Sequence, residues 1–252
     1  MLLYFAGSIH SYHVSNPVKY LLLGMMLLFT FCARAGMDPH ALKEVISTRL
    51  GIAVYLVEQT PISGLYMLGT SQGVLYSDAK GDYVVQGIML DMAHDMKNLT
   101  VSGLREQRRL GLSQVSYAPI VLKAPDERHR VALFLGEHEA RRRQLAPTLQ
   151  HLQALGISVE LYPVIEHAAQ AADWCSDPLL QHAPFKAYLP QQECSETLIQ
   201  NIGLSKWLGV KVLPAWVSSD GNLVRGYQSP EQLLKILDNY AEAPASSSSS
   251  ES

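Results

Sequence analysis

Three cysteines, at positions 32, 175 and 194, are the residues of this sequence best suited to covalent chemistry. Thiol-disulfide exchange needs a reactive thiolate and a second thiol close to it, which redox proteins often provide as a C-x-x-C motif. No two of these cysteines have that spacing, since even Cys175 and Cys194 are 19 positions apart. The sequence therefore contains thiols but lacks the usual arrangement for electron transfer.

An apolar stretch near the N-terminus indicates which cysteines remain in the mature protein. Residues 20–31 follow Lys19 and lead into small residues that end at Ala35, which predicts a secretory signal peptide cleaved after Ala35. A membrane anchor is the alternative, but about 12 apolar residues are too few to span roughly 30 Å as a helix. A lipid anchor on Cys32 is disfavoured by the bulky Phe31 before it. Cleavage leaves Cys175 and Cys194 in an oxidising compartment, where we expect one disulfide that stabilises by about 3 kcal/mol.

The overall charge argues against two classes of partner, nucleic acids and anionic membranes. The formal net charge is -3 and the sequence pI is about 6.3. No strong field therefore favours nucleic acid or an anionic membrane. We expect neither as a partner once the signal is removed.

The first half of the mature chain predicts one helix followed by a small antiparallel sheet. Asp38 and Pro39 open the helix and Gly51 follows it, and its apolar positions share one face. These positions are Leu42, Val45, Ile46 and Leu50. The predicted strands are 53–57, 65–68, 73–77 and 83–86. So few residues make a small core, and dimerisation through an open sheet edge would enlarge it.

A polar helix over residues 99–112 follows this sheet. Thr100 is its predicted N-cap, and Arg105, Arg108 and Arg109 are predicted to lie on a solvated face. Its polarity favours a connecting helix rather than a core element. A phosphate-binding role for the arginines is the alternative.

The second half alternates strands with helices, which predicts an α/β domain. The predicted strands are 120–123, 130–135, 157–163, 212–217 and 223–225, and the helices include 139–155 and 230–240. The C-terminal residues 243–252 are rich in serine, and this composition predicts a disordered tail.

Four segments together resemble the periplasmic DsbC and DsbG family of thiol:disulfide interchange proteins. They are PISGLYMLGTSQGVLYSDAKGDYVVQG, KAPDERHRVALF, ALGISVELYPVIE and LGVKVLPAWVSSDGNLVRGYQSPEQLLKIL. The resemblance implies an α+β, cystatin-like N-terminal dimerisation domain joined by a helix to an α/β thioredoxin-like domain, with two protomers forming a V-shaped cleft. The implied division is 1–35 signal peptide, 36–97 dimerisation domain, 98–117 helical linker, 118–242 thioredoxin-like domain and 243–252 tail.

The catalytic motif of that family has no thiol counterpart in this chain. The family carries F-T-D-x-x-C-x-Y-C after the first long strand, which here ends near Phe134. The resemblance places Glu139 and Arg142 at the two cysteine positions, with Ala140 and Arg141 between them. Neither a carboxylate nor a guanidinium can exchange disulfides, so we assign no catalytic residue.

The segment Glu137-His138-Glu139 permits a second interpretation, a metal or acid/base site, because histidine and carboxylates bind zinc. Three consecutive residues point in different directions on a helix, so we predict a solvated helix start, no metal site and no cofactor.

Two further features of the family are implied in the thioredoxin-like domain. Cys175 and Cys194 fall where the family has a structural disulfide. Leu213 and Pro214 fall on the cis-proline site, where an extended substrate pairs with exposed backbone. The family usually has threonine before this proline, so Leu213 alters the expected peptide preference.

The remaining histidines and methionines have less specific interpretations. We predict no ligand role for His94, His151, His167 and His182. We predict that Met89, Met92 and Met96 either pack in the core or line an adaptable apolar surface.

Three functions follow from these residues. The first is a non-enzymatic, homodimeric periplasmic chaperone or assembly factor for unfolded or partly folded periplasmic proteins. The second is thiol:disulfide interchange through Cys175 and Cys194, as the family name implies. The third is a structural interaction module of an envelope secretion or conjugation machine.

Overall fold

The computed structural model describes residues 38–117, 119–136, 145–165, 167–176 and 191–242. The predicted signal peptide, the segment containing Glu137 to Arg142, His182 and the serine-rich tail lie outside these residues. The first region contains α1 (Pro39–Leu50), β1 (Val54–Gln59), β2 (Leu65–Thr70), β3 (Gly73–Asp78), β4 (Val84–Val85), β5 (Leu90–Asp91) and β6 (Lys97–Asn98). The rest contains α2 (Leu99–Ser113), β7 (Ile120–Leu122), β8 (His129–Leu135), α3 (Leu145–Ala154), β9 (Ile157–Pro163), a 3-10 turn (Ala168–Gln170), α4 (Ala171–Cys175), α5 (Gln191–Trp207), β10 (Ala215–Ser218), β11 (Leu223–Arg225) and α6 (Pro230–Glu242).

The first sheet is an antiparallel meander in the order β1-β2-β3-β4. Because side chains alternate between its faces, Leu68 and Leu75 lie on the face opposite Met67 and Tyr76. Helix α1 packs against β1 and buries Leu42 and Ile46. The predicted fourth position of its apolar face, Leu50, is instead exposed. A short β5-β6 hairpin, which the sequence pattern did not predict, follows the sheet.

Helix α2 crosses the face of the first sheet that carries Met67. Its N-cap is Asn98, whose side chain accepts a hydrogen bond from the Val101 amide. The prediction of Thr100 as N-cap is therefore wrong. Thr100 is buried, and its hydroxyl lies 2.6 Å from the Tyr76 hydroxyl. A Cβ atom on Gly103 would lie 2.0 Å from the Met67 Cε, so the absence of a side chain permits this close packing.

The second sheet has five strands in the order β11-β10-β8-β9-β7. Strands β8 and β9 are parallel, and the crossover that this pairing requires includes α3. One face packs Leu133 against Leu149 of α3, and the other packs Phe134 against Leu208 after α5. The side chains of β8 alternate in direction and are buried from Val131 to Leu135, so they contribute to two apolar clusters on opposite faces.

The succession of an α+β region and an α/β region confirms the predicted fold class, and the second region is thioredoxin-like. The predicted strand 157–163 and the predicted strand 223–225 coincide with β9 and β11. The domain limits themselves remain a prediction. In the described part of the chain, no helix has both the length and the hydropathy needed to cross a bilayer.

Candidate functional site

The start of β10 and the end of β8 meet at one edge of the second sheet. Ala215 pairs with Phe134 in antiparallel register, which brings Leu213 and Pro214 beside Leu135 and Gly136. The Leu213-Pro214 peptide bond is cis. A Cβ on Gly136 would lie 3.1 Å from the Leu213 Cδ1, so the two segments are in direct contact. The segment that would hold the family's catalytic motif follows Gly136 and lies outside the described residues.

The groups at this edge are mainly apolar. Leu213, like Val164 and Val210, packs against the buried cluster that contains Phe134, whereas Val212 is exposed. Two backbone carbonyls are already used, because Val164 donates to the Leu135 oxygen at 2.8 Å and Gly226 donates to the Pro214 oxygen at 2.8 Å. The described part of this edge thus offers apolar contact and backbone but no nucleophile.

A disulfide joins the end of α4 to the first turns of α5. The Cys175 and Cys194 sulfurs are 1.95 Å apart and their Cα atoms are 5.9 Å apart. Both cysteines are buried in a cluster with Ile165, Ala171 and Leu198. Disulfide exchange requires that an incoming thiolate reach one sulfur, and this packing limits that access.

A buried polar network, which no sequence motif indicated, holds β9 against α5. The Tyr117 hydroxyl donates to the Asn201 Oδ1 at 2.5 Å, and the Asn201 Nδ2 donates to the Pro163 carbonyl at 2.7 Å. Burial raises the pKa of Tyr117 to about 12. Burial, followed by the Glu160 charge, raises the pKa of Tyr162 far above its ordinary range. Both phenols therefore stay protonated at neutral pH and serve as hydrogen-bonding and packing groups.

The connecting helix is fixed to the thioredoxin-like region by buried hydrogen bonds. Arg108 is 6% exposed, and it donates from Nε to the Leu208 carbonyl at 3.0 Å and from Nη1 to the Gly221 carbonyl at 3.1 Å. The adjacent Gln107 donates to the Trp207 carbonyl. The Trp207 and Leu208 carbonyls lie at the C-terminal end of α5, where carbonyls lack helical partners, and the Gly221 carbonyl lies in the turn between β10 and β11.

The prediction that Arg108 lies on a solvated face is therefore wrong, because tertiary packing buries this side chain. Burial, with a smaller effect of the Arg225 charge, lowers the pKa of Arg108 to about 10, so the guanidinium remains charged at neutral pH. Gly221 has a φ of +79°, and a Cβ there would lie 1.9 Å from the Arg105 carbonyl oxygen.

Three of the described histidines, His94, His151 and His167, make surface contacts or cap a turn. His94 Nδ1 lies 2.8 Å from Asp91 Oδ2, and His151 Nε2 lies 3.4 Å from Glu231 Oε1. His167 caps the 3-10 turn with Gln170. Within the ranges that the structure describes, no group of three or more His, Cys, Asp or Glu residues could hold a metal ion.

An exposed apolar surface surrounds β4 and the β5-β6 hairpin; we call it the β4 surface. Its members are Tyr83, Val84, Val85, Ile88, Leu90, Met92 and Met96. Val85 is 60% exposed and Met92 is 72% exposed. Met89, in contrast, packs against the core beneath α2. The predicted methionine surface is thus divided between core packing and exposure.

Comparisons with known proteins extend over both regions. Residues 33–101 match the model of the disulfide bond isomerase protein N-terminal domain. The thiol:disulfide interchange protein DsbC of Dickeya dadantii is 30% identical over 233 residues, covering 87% of this chain and 95% of that protein. DsbC of Salmonella typhimurium is 28% identical over 234 residues, covering 88% and 96%. The solved catalytic domain of Proteus mirabilis ScsC is 19% identical, covers 55% of this chain and 97% of that one, and gives a TM-score of 0.38.

Proposed function

Because this chain belongs to the DsbC family of thiol:disulfide interchange proteins, we propose that it is a homodimeric periplasmic chaperone or assembly factor without redox catalysis. It holds unfolded or partly folded exported proteins. The observation that carries this proposal is the combination of a retained family fold with a sequence that has no C-x-x-C motif.

The chemistry of the replaced motif supports the absence of catalysis. Exchange requires one thiolate that attacks and a second thiol that resolves the mixed disulfide. Glu139 and Arg142, at the positions that the resemblance aligns with the family's cysteines, can do neither. The two cysteines that remain after the predicted cleavage form a buried disulfide, which supports a structural role for Cys175 and Cys194.

The edge at Leu213 and Pro214 supports continued peptide binding. Extended peptides bind such edges through backbone hydrogen bonds, which do not depend on a neighbouring thiol. The exposed Val212 and the partly buried Leu213 give this edge an apolar character. We therefore assign apolar segments of unfolded proteins to it.

The β4 surface supports the homodimer. The matched N-terminal domain is a dimerisation domain in this family, and β4 lies at an edge of its sheet. An edge strand with exposed apolar neighbours is a favourable place for pairing with a second copy. The relatives are periplasmic, and the apolar segment before Ala35 supports export of this chain to the same compartment.

Thiol:disulfide interchange through Cys175 and Cys194 is the second candidate, because it is the activity named for the relatives. It requires that the buried disulfide become accessible during turnover. A packed surrounding of Ile165 and Leu198 disfavours this opening.

Insulin reduction and the isomerisation of a scrambled disulfide substrate separate the two candidates. We expect no turnover above background for the mature protein, together with suppressed aggregation of a chemically unfolded reductase. Turnover that disappears in Cys194→Ser would replace the first candidate with the second. Absence of both turnover and aggregation suppression would contradict both.

A further inference from the structure

A groove lies between the first sheet and the N-terminal half of α2, away from the edge at Pro214. Its volume is about 520 Å³. Apolar and aromatic side chains form its floor, mainly Met67, Tyr76 and Met89, and two carboxylates, Glu58 and Glu106, line it. The groove therefore combines an apolar surface with two carboxylates and one lysine, Lys97.

The carboxylate of Glu58 lacks a counter-charge of its own. Among the described residues, no hydrogen bond or ion pair reaches this side chain, whereas Glu106 is held by Arg109 at 2.5 and 2.7 Å. Burial and the charge of Glu106 raise the pKa of Glu58. Lys97 also lines the groove but does not offset this effect. A positively charged group placed against Glu58 would relieve both the burial and the repulsion.

The strand that carries Glu58 favours a polypeptide over a small amine. β1 is the outer strand of its sheet, at the edge opposite β4. Such a strand has main-chain groups that can pair with an added extended segment. A lysine or arginine side chain joins an apolar stem to a charged end, which matches an apolar floor leading to a carboxylate.

We propose that this groove binds a lysine or arginine side chain of an extended, partly folded polypeptide whose main chain lies along β1. The inference rests on the proposed chaperone function and adds a preference to it, for client segments with a basic residue among apolar ones. It also places a second client contact away from Leu213 and Pro214.

Peptide binding tests this preference directly. The probe is a fluorescein-labelled, unstructured peptide of about twelve Ser, Thr and Val residues with one central lysine, compared with the same peptide carrying norleucine. Norleucine keeps the apolar stem and removes the ammonium group. Fluorescence anisotropy should show binding of the lysine peptide that is about fivefold to tenfold tighter.

The Glu58→Gln variant should abolish this difference, and Glu44→Gln should retain it. Glu44 is an exposed carboxylate on α1, so its replacement changes the net charge equally. Equal affinity for the two peptides, or an unchanged preference in Glu58→Gln, would overturn the inference. A lack of binding to either peptide would overturn it as well.

Aggregation assays distinguish failure of this inference from failure of the chaperone proposal. If the wild-type protein suppresses aggregation but shows no Glu58-dependent preference, the groove assignment alone is wrong. If the preference is present and aggregation is not suppressed, the chaperone proposal alone is wrong.

Melting temperatures at pH 7 and near pH 4 test whether Glu58→Gln is folded and how the Glu58 carboxyl group contributes to stability. Because the folded state raises the pKa of Glu58, its contribution is favourable at pH values below the ordinary pKa and is lost as the pH rises through the folded-state value. The variant should therefore melt at the same or a slightly higher temperature than wild type at pH 7. This difference should vanish near pH 4. A lower melting temperature at pH 7 would show that the carboxylate stabilises the fold and would contradict this account.

Discussion

The two sheets of this chain differ in how completely they bury their own apolar side chains. In the five-stranded sheet, Val131, Leu133 and Phe134 of β8 are fully buried between helices on both faces. In the four-stranded sheet, both faces are covered near β2, but apolar residues around β4 remain exposed. The first sheet thus leaves apolar surface available for the proposed dimer, whereas β8 of the second sheet is buried within its own chain.

The joint between the two sheets follows a third pattern, since it depends on polar groups. Arg108 and Gln107 reach across to carbonyls at the end of α5, and Lys211 donates to the Gln72 carbonyl at 3.2 Å. The Tyr55 and Trp207 rings stack beside them, with centroids 5.4 Å apart. Stability should therefore depend on apolar packing in the second sheet, on hydrogen bonds at the joint, and on association with another chain at the first sheet.

The largest effect should come from the interior of the second sheet. Leu133→Ala removes three buried carbons and leaves a cavity, and it should lower the free energy of unfolding by about 2 to 5 kcal/mol. Urea unfolding measures this change. Val85→Ala on the β4 surface is the control and should cost much less at a protein concentration where the dimer has dissociated. Similar losses for the two variants would remove the contrast between the sheets.

Removal of the disulfide should have the next largest effect. The double variant Cys175→Ser, Cys194→Ser opens a loop closed over 19 residues and should lose about 3 kcal/mol in urea unfolding. Wild-type protein unfolded with a reductant should lose a similar amount. Unchanged stability in both experiments would contradict a structural role for this bond.

Replacement of Arg108 should weaken the joint. Arg108→Met leaves the Leu208 and Gly221 carbonyls without their charged donor, so we expect a loss of about 1.5 to 3 kcal/mol in thermal or urea unfolding. Arg109→Met is the matched control, because Arg109 is exposed and, among the described residues, pairs with Glu106 on its own helix; its loss should be clearly smaller than that of Arg108→Met. A larger effect at Arg109 would be inconsistent with this account of the joint.

The smallest effect on free energy should appear in self-association. Val85→Lys introduces a charge at the edge strand, and it should weaken dimerisation by about tenfold in sedimentation equilibrium. Val101→Lys, at an exposed valine of α2, should leave dimerisation unchanged. A wild-type protein that is monomeric at micromolar concentration would refute the dimer itself.

Local signals in the sequence predict individual helices and strands, whereas the contacts between these elements are visible only in the structure. Asp38, Pro39 and Gly51 mark the ends of α1 because capping depends on neighbouring residues. Arg108 was wrongly placed because its partner Leu208 lies 100 positions away, and charge alone indicates solvent. The β5-β6 hairpin was missed because two-residue strands have no detectable alternation.

The candidate sites show the same division. The resemblance places Leu213 and Pro214 at the family's cis-proline site, and the sheet register brings them beside Gly136. Glu58 gave no signal, because one carboxylate in a short strand forms no pattern. Only its packing beside Glu106 and α2 makes it distinctive.

The turn between β10 and β11 lies directly against α2, because Gly221 contacts the Arg105 carbonyl. Its residues, Ser-Ser-Asp-Gly-Asn, are typical of a surface turn that accepts insertions and labels. Its backbone instead rests on the backbone of α2, with room for a hydrogen atom and no more. A single methyl group added at Gly221 would therefore push the turn away from the helix and disturb the joint, although no residue of either sheet would have changed.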